Sequence, residues 1–337
     1  MSKSERVGLE AKDGGARVIS RRALHYSEGA DASVDRPAHV RAGSALAWLG
    51  EPSCSRLAVV QDDASFLALV DLESGSTSSI TLDHAHEGQR QFDSGRGNKK
   101  HKLDLEACAR IDTRQGPRLV VIGSGSLAAR ERFVLLDPHD GSTRIIALPE
   151  LYASLRAHTA FSGSELNIEG AAVVHDRLRL FQRGNGAPRG ELSPVDATCE
   201  LALDALLAHL EGQGPAPAPR DITRYSLGAI DGVRLTFTDA CADDDGRVLF
   251  LAAAEASPDA IEDGEVVGVA MGVIERDGSA RWTRIADESG APFLAKAEGL
   301  VLARGRTERG ERTAWLVVDR DDPALPTELC AIAFHGL

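Results

Sequence analysis

The sequence predicts an all-β chain folded as a five-bladed β-propeller with four antiparallel strands per blade, on three observations. First, a unit in which an acid and a small residue open a short apolar strand recurs at nearly even spacing; it is clearest in LNIEGAAVVHDRLRLFQRGN, from Leu166 to Asn185. Second, each recurrence is followed by further short apolar runs separated by Gly- and Asp-containing turns, as antiparallel hairpins require. Third, the last unit contains only three strands, and an orphan strand around Ala16 to Tyr26 supplies a fourth that closes the ring without a free edge. A six-bladed ring with one degenerate blade is the alternative.

Taken in order, residues 1–15 are charged, Gly-rich and aperiodic, so disorder is expected there and residues 16–337 form a single propeller domain. Ser27 to Gly43 reads as loop. Unit one is SALAW from Ser44, a turn through Glu51 to Ser53, RLAVVQDDAS, FLALVDL and TSSITLD. Unit two is LDLEACARI from Leu103, RLVVIGSGS, RFVLLDP and TRIIAL. Unit three is the opening stretch, then CELALDALLAHLEG, whose periodicity fits a helix in its outer part. A PAPAPR linker then leads to a closing strand, DITRYSLGA. Unit four is VRLTFTDACADDDGRVLFLAAAEAS, VVGVAMGVIE and ARWTRIA; unit five is KAEGLVLARG, AWLVVDRDDP and ELCAIAF. Four short strands per repeat are the pattern of a propeller blade.

The composition narrows the class. A net charge of −13 argues against nucleic acid and anionic membrane as partners, because both are bound through Lys and Arg. No apolar run approaches the roughly 18 residues of a membrane span, and the start lacks the apolar core of a secretory signal. Five cysteines without a CxxC point to free thiols in a reducing cytoplasm, with the periplasm as the alternative location. A monomer that takes a small anionic molecule is the expectation. The 4 % aromatic content disfavours a sugar lectin.

Aligning the first strands places Ser44, Glu106, Glu169, Asp239 and Glu298 at one equivalent position, at intervals of 62, 63, 70 and 59 residues. Such positions face the propeller axis, so four carboxylates converge on a partly buried channel. Mutual repulsion and desolvation then demand either protonated carboxyls or a bound cation. Oxygen ligands without sulfur or imidazole favour a hard cation, Ca²⁺ with Mg²⁺ as the alternative.

The stretches NIEGAAV, KAEGLVL and LDLEACA, with returns such as LAVVQDDAS and LVVDRDDP, resemble uncharacterised bacterial propellers. They also resemble the esterase-like-phytase and SdiA-regulated propeller groups with their EGL-type strand openings, over most of the chain from about Ser44. More remotely, the order Ser, Glu, Glu, fourth residue, Glu is similar to the pore ring of the five-bladed soluble calcium-activated nucleotidases. That resemblance implies Ca²⁺ at Ser44, Glu106, Glu169 and Glu298. Asp239 departs from the small hydroxyl residue expected there, and no other nucleotidase motif is present.

A second ring at the ends of the returning strands holds Asp62 and Asp63, Ser124 and Ser126, Arg183 and Asn185, Glu255, Asp319 and Asp321. Arg183, Lys102 and Lys296 are placed to clamp an anionic group, and Asp62, Asp63 or Glu255 to act as general base. For Arg183 and Lys296 the alternative is ion pairing with ring acids. GSGS at 123–126 reads as a tight turn. The His84 and His86 loop, residues 83–102, is long enough to cap the mouth. The functions in view are a metal-dependent hydrolase of phosphate or ester substrates, a ligand- or protein-binding propeller with a structural metal, and a scaffold.

Overall fold

Alternating short apolar runs and tight turns fold as antiparallel meanders. The computed structural model describes residues 5–50, 55–256 and 264–337; the turn from Glu51 to Ser53, Cys54 and residues 1–4 lie outside the described residues. Two N-terminal strands, β1 (Glu5–Glu10) and β2 (Gly15–Ala23), precede the repeats. Unit one comprises β3 (Gly43–Trp48), β4 (Arg56–Gln61), β5 (Phe66–Asp71) and β6 (Thr77–Thr81). Unit two comprises β7 (Leu105–Thr113), β8 (Gly116–Gly123), β9 (Arg132–Leu136) and β10 (Thr143–Ala147). Two helices missing from the sequence reading, α1 (Pro149–Ala157) and α2 (Thr159–Ser162), follow.

Unit three comprises β11 (Ile168–Val174), β12 (Arg177–Gln182) and β13 (Asp196–Ala202), then α3 (Leu203–Leu210) where helical periodicity is expected, and β14 (Arg220–Ser226). After the two-residue β15 (Ala229–Ile230), unit four comprises β16 (Val233–Ala242), β17 (Val248–Ala256), β18 (Glu265–Ile274) and β19 (Ala280–Ala286). Unit five is β20 (Lys296–Arg306), β21 (Arg312–Asp319) and β22 (Glu328–His335), completed by β2, which pairs antiparallel with β22. The first strands meet in a closed cycle, β3, β7, β11, β16, β20 and back to β3. The chain is a β-propeller, and its second strand, β2, closes the last unit.

The core lies between neighbouring units rather than at a single centre, in five buried apolar clusters. The glycines after Glu169 and Glu298 make this packing possible. A Cβ on Gly170 would come within 2.9 Å of Ala240 N, and one on Gly299 within 2.8 Å of Ala45. Neighbouring inner strands therefore approach too closely for any larger residue, which is why EG recurs at strand starts.

Within the stretch 1–15, where disorder is expected, Glu5–Glu10 form a strand; residues 1–4 lie outside the described residues. Strand β1 runs parallel first to β14 and then to β19, and so staples the outer edges of units three and four. Its Val7 and Leu9 are exposed and its Gly8 packs on Leu227. Backbone pairing at an edge holds it, which leaves no apolar pattern for composition to reveal. Among the described residues, no helix is long and apolar enough to cross a membrane.

Candidate functional site

The five inner strands share one irregularity that builds the channel mouth. Each ladder slips by one residue near its start, leaving Ser44, Glu106, Glu169, Thr238 and Glu298 as the extra, unpaired residues. A bulge re-aims a side chain, and five of them in register aim a ring at the axis. The fourth member is therefore Thr238, which corrects the assignment of Asp239. Asp239 pairs with Leu251, and its carboxylate turns towards unit five, where Oδ2 accepts Leu300 N–H at 2.6 Å. The hydroxyls confirm the equivalence. Ser44 Oγ donates to Leu105 O at 2.6 Å and Thr238 Oγ1 to Ala297 O at 2.8 Å, each carbonyl lying just before the next ring glutamate. The misassignment has a source, since the match of EACA at Glu106 to DACA at Asp239 pulls the alignment one residue off.

Glu169 and Glu298 converge on one guanidinium. Arg183 Nη1 lies 3.7 Å from Glu169 and 3.9 Å from Glu298, while Nη2 donates to Glu255 at 2.6 Å and Nε to Thr236 Oγ1 at 3.3 Å. Arg183 is only 5 % exposed. On the other side of the mouth Lys102 Nζ sits 2.5 Å from Asp62, 2.9 Å from Asp63 and 2.7 Å from Asp104. Asp104 also takes Arg130 at 2.8 Å and the Ser124 hydroxyl. Lys296 pairs with Asp321 at 2.8 Å. Tethered cations are thus a third way of holding converging carboxylates together, beside protonation and a bound ion.

Among the described residues, one set of potential metal ligands converges: single carboxylate oxygens of Asp62, Asp104 and Glu106 lie within 4.8 Å of one another. The set consists of oxygens alone, which suits a hard divalent cation. One further buried ring oxygen, Glu298 Oε1, has no hydrogen-bond partner. The acidic mouth therefore fits a cation in charge and donor type. Asp104 was missed by the sequence reading, although Lys102, Asp104 and Glu106 alternate at the period that puts them on one side of an extended segment.

The electrostatics follow from burial. Burial lifts the Glu169 carboxyl to about 7 against the pull of Arg183. Burial and the neighbouring Asp63 lift Asp62 to about 8 in spite of Lys102. Burial, Asp62 and Glu169 raise Glu106 well above the carboxylate range. Glu298 is raised by burial too, with Arg183 opposing. Burial would also raise Asp104, but Lys102 and Arg130 outweigh it and hold that carboxyl at about 2.

Stability should therefore depend on pH. A carboxyl raised from 4.5 to about 7 binds its proton more tightly when folded, so Glu169 favours the native state most at acid pH and loses that contribution as pH rises through about 7. Asp62 acts likewise up to about 8, whereas the Asp104 contribution disappears only as pH falls towards 2. The melting temperature should be higher at pH 5.5 than at pH 8.5, and Glu169→Gln should flatten part of the slope. A melting temperature that rises across this interval would refute the assignment.

The remaining sequence candidates also have defined places. GSGS at 123–126 is consumed in a local network of Ser124, Ser126, Arg130 and Asp104. The loop of residues 83–102 is tied down beside the mouth: Asp35 accepts Arg90 N–H and Gln91 N–H, and Arg41 reaches Asp93 and Asp63. His86 stacks on His101 with ring centroids 3.5 Å apart, and His84 Nε2 lies 2.8 Å from His101 O. No histidine joins the converging ligand set. The loop ends by delivering Lys102 into the acids. Cys108, Cys199, Cys241 and Cys330 are free thiols.

A family model described as "Family of unknown function (DUF6929)" matches residues 39–334. No curated protein matches the chain. Among solved structures, the chain is similar to a structural genomics protein of unknown function from Bacteroides thetaiotaomicron, with 11 % identity and a TM-score of 0.41. That alignment covers 91 % of this chain, which spans 60 % of the other's length. It is also similar to a calcium-binding protein, regucalcin, from Agrobacterium tumefaciens, with 10 % identity over 100 % of this chain and 98 % of that one, TM-score 0.42. A gluconolactonase from Xanthomonas campestris gives 11 % identity over 97 % and 96 %, TM-score 0.43. At these identities and TM-scores no residue or role of these proteins is carried onto this chain.

Proposed function

The chain belongs to the DUF6929 family, and on that premise we propose that its acidic channel mouth binds a divalent cation and hydrolyses a small phosphate or ester substrate there. The convergence of Asp62, Asp104 and Glu106 within 4.8 Å carries this reading. These three residues would hold the ion, Ca²⁺ before Mg²⁺ because Ca²⁺ accepts more oxygens in looser geometry. With Thr238 in fourth place the ring reads Ser, Glu, Glu, Thr, Glu, which removes the departure from the calcium-activated nucleotidase pattern and supports the same ion. Once bound, such a cation polarises a phosphoryl or carbonyl oxygen.

The chain's own groups supply the rest. Lys296, paired with Asp321 at 2.8 Å, would put an ammonium group at the mouth where a substrate anion arrives, whereas Lys102 is shared by Asp62, Asp63 and Asp104 and holds those acids together. While it holds the ion Asp62 would be ionised, so it would serve as a ligand and not as the proton donor. Glu169, near 7, is suited to take a proton from water. Arg183 is committed to Glu255 and its neighbours, so in this reading it positions Glu169 and leaves substrate to Lys296 and the ion.

A second reading is favoured by one observation: Lys102 and Arg183 already stand among the acids, so the mouth is a self-neutralised structural plug and any ligand binds without turnover. One experiment separates the two. At 100 times its dissociation constant a bound ion stabilises by about 2.7 kcal/mol, so Ca²⁺ should raise the melting temperature and EDTA should reverse the rise. Glu106→Gln should blunt that response, and a panel of phosphoesters, thioesters and lactones should show metal-dependent turnover. An unchanged melting temperature together with no turnover would leave the plug.

A further inference from the structure

We infer that the opposite mouth of the channel is a second binding site, one that takes a small phosphate-bearing molecule. The ring of acids lies at the starts of the inner strands. Towards their other ends a cavity of about 640 Å³ opens, bordered by all five: Trp48 on β3, Arg110 on β7, Val173 on β11, Ala242 on β16 and Arg304 on β20. That volume is in the range of small-molecule sites.

The chemistry of this mouth is the reverse of the first. Four arginines, Arg110, Arg304, Arg306 and Arg312, line the cavity, against one lining acid among the described residues, Asp244; Asp112 and Asp243 pair with Arg110 and Arg312 from outside the lining. In a chain of net charge −13 this is a marked local inversion. Several of these side chains are held in place. Arg110 and Arg304 both donate to Gly50 O, at 3.0 and 3.1 Å, and Arg304 lies over the Trp48 ring at 4.2 Å. Arg312 is set by Asp243 at 3.3 Å and lies over the Phe334 ring at 5.4 Å. Guanidinium forks fixed from different strands suit a group that presents several oxygens and more than one charge, which is phosphate rather than a single carboxylate. Cys108 and Cys241 also line the cavity.

Inorganic pyrophosphate is a direct probe, titrated calorimetrically at low ionic strength in EDTA so that no divalent cation takes part. Saturable one-to-one binding is expected, weakened about tenfold or more by Arg304→Gln. Arg304→Lys, which keeps the charge but loses the fork, should fall between the two. If Arg304→Gln fails to fold, Arg110→Gln should weaken binding in the same way. Absence of saturable binding, equal affinity in the folded Gln variants, or citrate binding as tightly as pyrophosphate would overturn the assignment.

Discussion

Replacing Arg183 with methionine is expected to cost about 3–5 kcal/mol of stability, the usual loss when one partner of a buried ion pair is removed. The guanidinium answers Glu255 at 2.6 Å and stands within 4 Å of both Glu169 and Glu298, all in a place that water barely reaches. Methionine fills much of the same volume, so the loss reports charge rather than packing. The three acids can respond by taking up protons, and the deficit should therefore be smaller at pH 5.5 than at pH 8.5. Arg183→Lys should recover part of it, since one ammonium cannot match the fork. Urea unfolding at both pH values measures this, and a change below about 0.5 kcal/mol would place Arg183 among ordinary surface residues.

The second large effect is expected at Lys102. Its ammonium is shared by Asp62, Asp63 and Asp104, the first and third of which belong to the converging ligand set. Lys102→Met should destabilise the metal-free protein by a similar ~3–5 kcal/mol. Unlike the loss at Arg183, this one should be repaired by millimolar Ca²⁺, because tethered and free cations compete for the same oxygens. The variant should also bind Ca²⁺ more tightly than the natural protein does. If Ca²⁺ stabilises the variant no more than the natural chain, Lys102 and the ion do not share these oxygens, and the assignment of Asp62 and Asp104 as ligands fails. A variant restored by Ca²⁺ but showing no turnover would favour the non-catalytic reading.

Much of this was legible in local patterning. Hairpins announce themselves through Gly- and Asp-rich turns between short apolar runs, and repetition at intervals near 60 residues implies a ring. The strand from Gly15 to Ala23 was found because unit five lacked a partner for Glu328–His335. Helix α1 was missed although Leu151, Tyr152 and Leu155 show helical spacing after a proline at the first turn, an available signal that the repeat pattern hid. Strand β1 offered none, because its apolar side chains face solvent.

The site divides in the same way. The acidic residue types and their recurrence are properties of the chain, and they determined that carboxylates from separate repeats meet at one end of a channel. Whether Thr238 or Asp239 joins them turns on a one-residue bulge, and a single slip of register sends a side chain to the other face of a strand. The neutralising partners likewise come from other strands and loops: Arg183 from the end of β12 and Lys102 from a long connection. Their distances from the acids arise only when five units close on one another. Local sequence sets strand, turn and charge because these depend on near neighbours, whereas the pairing of buried charges depends on which distant residues share the same few ångströms.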